Sequence, residues 1–394
     1  MTLIYRFTTF LCSAFCLFLT SSAAQSYQAT GRFEIVGTKM IDPDGKEFIP
    51  IGVNMNGRGW VWDGDPSQDV DAIEKGWRFN IIRVNNILGC KDGPFRNRSL
   101  DLDAVVKTFT SRRIVVMFEQ HDVPEKDSQL ECSARWWKEA ALKYKNNPYV
   151  WFNPFNEPGG LGIASSPQWV PYHRRIIQTI RDRAGADNII ILDGIAAGQD
   201  HVNGWGACGF ARDSDSAILS WGSTIASFQG KTYKNVGFSF HSYGSGGCAD
   251  ETLNDKIIAN YIDRVHAKGL FLVVGESGYY SGQEYYQKSG SKAVRSTFRV
   301  ALQRKVGVLA WHGQPGDGYV LTWPGGGIGS INSLTQPSNL TWIGKLFWEA
   351  THKRGFGLRS SPTSPSTPTP SCPSSRPHPS RSLLPSNSCE PEKP

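Results

Sequence analysis

After residue 24, the 394-residue chain has no apolar stretch long enough to span a bilayer. It has no cysteine pair in the C-x-x-C spacing of structural zinc sites. Its 42 basic residues are interspersed among 35 acidic ones, so the formal net charge of +7 is not gathered into a stripe. These absences argue against a membrane protein, a zinc-stabilised fold and a nucleic-acid-binding protein. We expect no metal, no other cofactor and a monomer.

The long apolar run that the chain does have lies at its amino terminus. Arg6 precedes an apolar stretch, residues 7–19, and the small residues Ser21-Ser22-Ala23-Ala24 follow it. This order predicts a secretory signal peptide over residues 1–24, and therefore a secreted, extracellular protein. Asn97 and Asn339, each in an N-x-S/T triplet, are candidate glycosylation sites that fit export.

The carboxyl-terminal segment of the chain differs in composition from the rest. From about residue 359 the sequence is rich in serine, threonine and proline and has almost no core-forming residues. Such tracts stay extended because they cannot bury enough apolar surface to fold. We therefore predict a folded domain over residues 25–357 and a disordered tail over 358–394.

The body of the chain alternates short apolar runs with amphipathic segments. Most of the runs are rich in Val, Ile, Leu and Phe, which is typical of parallel strands buried on both faces. There are eight of them, over residues 49–55, 80–85, 113–119, 150–156, 188–193, 236–242, 270–276 and 306–311. Segments with helical periodicity separate most of them, over residues 102–110, 134–145, 169–184, 253–268, 291–305 and 342–354.

This alternation predicts a closed (β/α)8 barrel with its functional site at the carboxyl ends of the strands. The alternative is an open doubly wound sheet, which would place a glycine-rich G-x-G-x-x-G turn after its first strand. Residues 54–60 lack that order. Before the first run, Asp44-Gly45 indicates a hairpin that could close the base of the barrel.

Six cysteines remain after removal of the signal peptide, and an even number outside the cell indicates disulfides. Spacing alone does not fix the connectivity. We predict Cys90–Cys132 and Cys208–Cys248, because each pair joins loops after consecutive predicted strands.

The fourth run ends in Asn156-Glu157-Pro158-Gly159-Gly160, where proline and glycine stop the strand at an acidic residue. A half-buried carboxyl at such an end favours its protonated form, as a general acid near neutral pH requires. A lone glutamate after a strand is more often a helix-capping or solvated loop residue, and a second acidic stretch is what favours the functional interpretation of Glu157. The seventh run supplies a second acid, Glu276, in Gly275-Glu276-Ser277-Gly278.

Two carboxylates at the ends of the fourth and seventh strands would face each other across the barrel mouth. Such a pair supports glycoside hydrolysis, with retention of configuration at a separation of about 5 Å and inversion at roughly 6.5–9.5 Å, where a water fits. In the retaining scheme Glu157 would be the general acid/base and Glu276 the nucleophile, with Arg83 lowering the pKa of Glu276. Other polar or aromatic residues at the strand ends are candidate substrate-binding groups, namely His121, Asn156, His241, Tyr243 and Trp311.

Each of these residues has a plainer interpretation. Arg83 could be an ordinary buried ion-pair partner. His121 and His241 could be metal ligands, but a third ligand at metal-site spacing is lacking. Tyr243 and Trp311 could be core residues, and Asn156 could close the turn after its strand.

As an ordered set on successive strands, Arg83, Asn156-Glu157-Pro158, His241-x-Tyr243, Gly275-Glu276 and Trp311 resemble glycoside hydrolase family 5, the cellulase and mannanase family. The resemblance covers residues 33–352. It implies a (β/α)8 barrel, a double-displacement retaining mechanism, Glu157 as acid/base and Glu276 as nucleophile.

Three stretches are more similar to bacterial-type β-mannanases than to endoglucanases of the family, namely residues 36–48, 119–122 and 275–278. Ser277, where an aromatic residue is usual, and residues 312–315 depart from that pattern. The resemblance thus implies an endo-β-1,4-mannanase acting on plant or algal cell-wall polysaccharide. The alternatives are an endo-β-1,4-glucanase on the same scaffold and, in another class, an inactive carbohydrate-binding barrel.

Overall fold

The computed structural model describes residues 27–59, 65–91, 100–159, 168–200, 209–210, 212–243, 248–279, 290–313, 321–322 and 339–353. The predicted signal peptide, the predicted tail, Asn97 and Cys208 lie outside these ranges. No described helix combines 18 residues with enough apolar character to cross a membrane.

Eight parallel strands close into a barrel, as the sequence predicts. In chain order they are β3 (Ile51–Asn56), β4 (Ile81–Asn86), β5 (Val115–Gln120), β6 (Val150–Asn153), β7 (Ile190–Asp193), β10 (Val236–Ser242), β11 (Leu272–Ser277) and β12 (Gly307–Ala310). A short antiparallel pair, β8 (Ser227–Phe228) and β9 (Lys231–Thr232), precedes β10. Consecutive barrel strands are neighbours, and β12 pairs with β3 to close the ring.

Helices follow the strands and cover the outside of the barrel. They are α1 (Leu102–Thr110), α2 (Asp127–Tyr144), α3 (Trp169–Gln178), α4 (Ala217–Ile225), α5 (Glu251–Ala267), α6 (Gly290–Gln303) and α7 (Trp342–His352). A π-helical turn (Ala72–Trp77) follows β3, and another (Thr179–Arg183) extends α3. The sequence analysis did not predict the helical turn that follows β3, or helix α4. Both are short, and each contains a glycine, Gly76 and Gly222 respectively.

The base of the barrel is closed by an amino-terminal hairpin of β1 (Glu34–Val36) and β2 (Lys39–Ile41). The ring of Phe33, just before β1, contacts the rings of Phe48 and Trp151 edge-on, with centroids 5.0 and 5.2 Å away. The ladder reverses at residues 37–38. The predicted turn at Asp44-Gly45 forms as well, but it connects only an isolated bridge between Ile41 and Glu47.

The alternation of side chains along each strand divides the barrel into layers. One set of strand residues points outward and packs under the helices, while the other points inward. Near the base the inward residues are apolar, including Ile81, Met117, Trp151, Ile191 and Val273. Two residues further along four of these strands, the inward positions carry Arg83, Glu119, Asn153 and Asp193, all fully buried. The same pleat therefore supplies an apolar floor and a polar mouth.

Candidate active site

Arg83 lies at the centre of the polar layer, with a completely buried side chain. Its Nε donates to Asn153 (2.8 Å), Nη1 donates to Asn54 (2.8 Å) and Glu276 (2.5 Å), and Nη2 donates to Asn156 (2.9 Å) and Asp193 (3.0 Å). All five N–H groups of the guanidinium thus have acceptors. Asp193 and Glu276 compensate the charge of Arg83. Through these hydrogen bonds Arg83 fixes both carboxylates and the side-chain oxygen of Asn156.

A β-bulge directs Glu276 into the barrel. Phe240 pairs with Val274, but the next residue, His241, pairs with Glu276, so Gly275 is an extra residue in β11. Without it, strict alternation from the inward-facing Val273 would turn Glu276 outward. A Cβ on Gly275 would lie 2.2 Å from Ser239 Oγ, so a larger residue would require that side chain to move. The glycine before Glu276 therefore gives the bulge room to form.

Glu276 is held on both oxygens. Oε1 accepts from Arg83, and Oε2 accepts from the hydroxyl of Tyr243. Burial raises the pKa of the Glu276 carboxyl, and the nearby Glu157 carboxylate acts in the same direction, while His241 and Arg83 oppose both. Arg83 pulls the pKa down as the sequence analysis expects, but burial outweighs it, so the net direction is upward.

Glu157 follows β6 in a left-handed backbone conformation, with φ 47°. Its Oε1 lies 2.8 Å from His241 Nδ1. The Glu157 side chain is 28% exposed, whereas that of Glu276 is 3% exposed. One carboxylate is therefore open to solvent and the other is enclosed.

His241 links the two acids. Its Nδ1 lies 2.8 Å from Glu157 and 3.4 Å from Glu276, and its Nε2 lies 3.3 Å from Asp193. The ring is fully buried, which by itself lowers the pKa, but the surrounding carboxylates outweigh burial and raise the pKa of His241 to about 10. We therefore treat this ring as an imidazolium rather than a neutral floor residue.

His121 and Trp311 form a second part of the site. Their rings stack, with centroids 5.8 Å apart and planes 20° from parallel. His121 Nδ1 lies 3.2 Å from Glu119, and that carboxylate accepts from Asn85 at 2.9 Å. The Glu119 charge outweighs burial and raises the pKa of His121. The two rings form an aromatic wall at the barrel mouth.

Of the eight residues predicted from the sequence, seven lie at or just beyond the carboxyl ends of their strands, and Arg83 lies within β4. Six belong to one hydrogen-bonded cluster: Arg83, Asn156, Glu157, His241, Tyr243 and Glu276. Asn54, Asn153 and Asp193 belong to the same cluster but were missed by the sequence analysis. Their signal is positional, since Asn153 and Asp193 each follow an apolar inward residue by two positions.

Asp193 is the charged residue among the three that the sequence analysis missed. It is fully buried and accepts from Arg83 and Asn153. Burial would raise its pKa, but His241 and Arg83 outweigh that effect and lower the pKa of Asp193 to about 2. Asp193 thus supplies the permanent negative charge that lets two buried cations coexist.

Three side chains of the site also meet the distance criterion for a metal. One ligand atom each of Glu157, His241 and Glu276 lies within 4.8 Å of the other two. However, His241 is protonated well above neutral pH, and the Arg83 guanidinium already lies against Glu276. Both cations would repel a metal ion, so this trio is better suited to proton transfer and nucleophilic attack.

A cleft of about 760 Å³ extends from Glu157 between the segments that follow β5 and β6 and the start of helix α3. Its walls include His121, Asp122, Phe155, Trp169 and Tyr172. The cleft is large enough for at least one sugar ring. It therefore gives access to the exposed face of Glu157.

One wall of this cleft is tied by a disulfide. Cys90 and Cys132 are bonded, as predicted, with Cα atoms 5.5 Å apart. The Asp122 carboxylate also accepts from the backbone of Leu88 and Cys90, at 2.8 and 3.0 Å. Cys248 is disulfide-bonded too, and its predicted partner, Cys208, lies outside the described residues.

A closed (β/α)8 barrel with paired carboxylates at its strand ends defines a TIM-barrel protein of the glycosidase type. Residues 41–317 match the cellulase family, glycosyl hydrolase family 5. The chain belongs to that family, which confirms the resemblance found in the sequence.

Individual relatives are distant. The chain is 23% identical over 290 residues to endoglucanase E-5 of Thermobifida fusca, covering 72% of this chain and 55% of that protein. The chain thus spans about half the length of this curated relative.

Solved structures share the fold. The catalytic domain of a mannanase from Streptomyces sp. SirexAA-E superposes with a TM-score of 0.60 at 20% identity, over 86% of this chain and 96% of that one. A β-mannanase from Thermomonospora fusca gives 0.60 at 21% identity, over 84% and 97%. The catalytic domain of a Thermobifida fusca endoglucanase gives 0.57 at 17% identity, over 82% and 97%.

Proposed function

We propose that the protein is a secreted, retaining endo-β-1,4-glycanase that hydrolyses β-1,4-mannan. The observation that carries the proposal is the separation of the two acids, whose oxygens lie within 4.8 Å of each other in a chain of glycosyl hydrolase family 5. A retaining mechanism needs carboxyl groups about 5 Å apart, whereas an inverting one needs roughly 6.5–9.5 Å to admit a water.

In the first step Glu276 attacks the anomeric carbon while Glu157 donates a proton to the leaving oxygen. The difference in exposure supports this assignment, since the open Glu157 can exchange protons with water and the enclosed Glu276 cannot. Arg83 and Tyr243 hold both oxygens of Glu276, which fixes the direction of attack.

In the second step water enters and Glu157 acts as base. Once Glu276 is esterified, Glu157 accepts a proton from the attacking water. His241, charged and 2.8 Å from Glu157, stabilises that carboxylate. Water attacks the anomeric carbon from the side of Glu157, and the ester bond to Glu276 breaks.

The remaining predicted residues would bind the sugar. Because Asn156 accepts from Arg83 through its oxygen, its amide N–H groups are left to bond the 2-hydroxyl of the reacting sugar. The stacked rings of His121 and Trp311 offer an apolar face to a pyranose. Export rests on the amino-terminal signal sequence, and secretion from a eukaryotic host with cleavage near residue 24 would test it.

The choice of mannan rests on the residues around Glu119-Gln120-His121-Asp122 and Gly275-Glu276, which resemble β-mannanases. The rival is an endo-β-1,4-glucanase, favoured by the names of the curated relatives, which include three endoglucanases at 23–25% identity. Reducing ends released from galactomannan and from carboxymethyl-cellulose decide between them. We expect release from galactomannan, and release from cellulose alone would refute the mannanase.

A further inference from the structure

The loop after β7 contacts the proposed acid/base, although it contributes no side chain to the chemistry. A Cβ on Gly198 would lie 2.5 Å from His241 Nδ1 and 3.1 Å from Glu157 Cγ, so the bare backbone of Gly198 packs against both residues. The Gly198 carbonyl also accepts from the His241 amide at 2.8 Å. The position of Gly198 therefore affects the positions of both His241 and Glu157.

The loop adopts an unfavourable backbone conformation. Ala196, Ala197, Gly198 and Asp200 all have left-handed φ angles, of 57°, 52°, 71° and 47°. For a residue other than glycine this conformation brings Cβ too close to the following carbonyl oxygen and is sterically unfavourable. Such strain persists only where the surroundings over-determine the backbone.

Asp200 provides the restraint. Its carboxylate is fully buried and accepts from the Tyr261 hydroxyl of α5 at 2.7 Å and from the Ala217 amide at the start of α4 at 2.9 Å. It also accepts from the hydroxyl of Ser216, whose Oγ caps α4. Its Cβ lies so close to Gly194 that a side chain at Gly194 would collide with it at 2.5 Å. Asp200 thereby bonds one end of the loop to two outer helices, and the other end, at Gly194, packs against its side chain.

We infer that Asp200 is a positioning residue for Glu157: by fixing the loop of residues 194–200 to α4 and α5, it sets where Gly198 holds His241 and Glu157. This role rests on the proposed retaining glycosidase function. It predicts that damage to the Asp200 contacts impairs proton transfer by Glu157 more than attack by Glu276, because Glu276 is held separately by Arg83 and Tyr243.

The test compares substrates that differ in their need for a general acid. An oligosaccharide leaving group requires a proton, whereas 2,4-dinitrophenolate leaves without one. Asp200→Asn is compared with Tyr261→Phe, a milder change that removes a single donor and keeps the test decisive if the first variant does not fold. Matched controls are Asp182→Asn and Tyr233→Phe. Tyr233 donates to Asp182 at 2.9 Å, and this hydrogen bond lies outside the site.

We expect kcat/KM on the oligosaccharide to fall by about 10- to 100-fold in both Asp200-network variants, while kcat/KM on the dinitrophenyl glycoside changes by less than about twofold. Azide, a nucleophile that needs no general base, should accelerate dinitrophenyl glycoside turnover in these variants but not in the controls. Equal losses on both substrates, or no loss on either, would overturn the inference alone. A wild-type chain that cleaves neither substrate would overturn the proposed function and the inference with it.

Discussion

Glu157 and Glu276 each place a carboxylate oxygen within 4.8 Å of the other, and Nδ1 of His241 lies 2.8 Å from Glu157 and 3.4 Å from Glu276. The two acids come from β6 and β11, which are not adjacent in the barrel. Their separation is below the range in which a water molecule fits between the second acid and the sugar. The stereochemistry of the product is therefore the most direct consequence of this geometry.

We predict that the first product released has the configuration of the bond that was cleaved. Proton NMR of the anomeric region during the first minutes of hydrolysis should show the β-anomer, which then mutarotates. The physical reason is that two successive displacements at one carbon restore the original configuration. Initial accumulation of the α-anomer would contradict the assignment of Glu276 as nucleophile.

Removal of Glu276 should abolish turnover without unfolding the chain. For Glu276→Ala we expect kcat to fall by about 10⁴-fold or more, as for other nucleophiles of covalent mechanisms. Glu139→Ala, a change at an exposed glutamate of α2, serves as the matched control and should leave kcat unchanged. Circular dichroism of both variants should match the wild type. Full activity in folded Glu276→Ala would show that a different residue is the nucleophile.

The acid limb of the pH profile should report Glu276. The nucleophile must be ionised, so activity is lost as the pH falls through its pKa, and burial raises that pKa above the ordinary 4.5. Tyr243→Phe removes a donor to the ionised form, which raises the pKa further. We expect the acid limb of kcat/KM to move up by about 0.5–1 pH unit. The control Tyr233→Phe should not move it, and an unchanged limb in Tyr243→Phe would show that another group sets it.

The fold could be predicted because each barrel strand is buried on both faces, so every strand appears as an apolar run. The position of Glu157 and Glu276 at the barrel mouth could be predicted because proline or glycine residues mark the ends of their strands. Asp193 was missed because it follows an ordinary apolar run with no unusual neighbour, and only the closed ring brings it to Arg83 and His241. The balance between burial and nearby charges likewise depends on the three-dimensional structure. The net upward direction of the Glu276 pKa therefore could not be predicted from the presence of Arg83 alone.

The Cys90–Cys132 disulfide should contribute substantially to the free energy of unfolding. It closes a loop across 42 residues, and loss of chain entropy in the unfolded state predicts about 4 kcal/mol. We expect the Cys90→Ala, Cys132→Ala double variant to lose about 2–4 kcal/mol in guanidinium unfolding. Asp122 still anchors the Cys90 backbone, so activity at 25 °C should persist. A loss below about 1 kcal/mol would contradict the entropic account, and non-reducing peptide mapping of the wild type checks that the bond was present.

His173 should make stability fall in mild acid. Its ring is fully buried between Phe155 and Trp169, and its Nδ1 donates to the Trp169 carbonyl at 2.8 Å. In the described part of the chain, no group hydrogen-bonds Nε2, the nitrogen that would take up a proton. Burial therefore lowers the pKa of His173 from 6.5 to about 4.

Between these two pH values the unfolded chain binds a proton that the folded chain does not, so stability is fully present above pH 6.5 and declines toward pH 4. The size of the effect is on the order of 3 kcal/mol. His173→Phe keeps an aromatic ring in place and removes the titration. We expect the difference in unfolding free energy between wild type and variant to shrink by that amount between pH 7 and pH 4, as measured by denaturant unfolding. Taking the difference cancels other titrations, such as that of the buried Asp200, whose pKa burial raises to about 6 and whose effect has the opposite sign. Parallel plots of unfolding free energy against pH for the two proteins would contradict this prediction, because they would show that His173 takes up its proton at the same pH in the folded and unfolded chains.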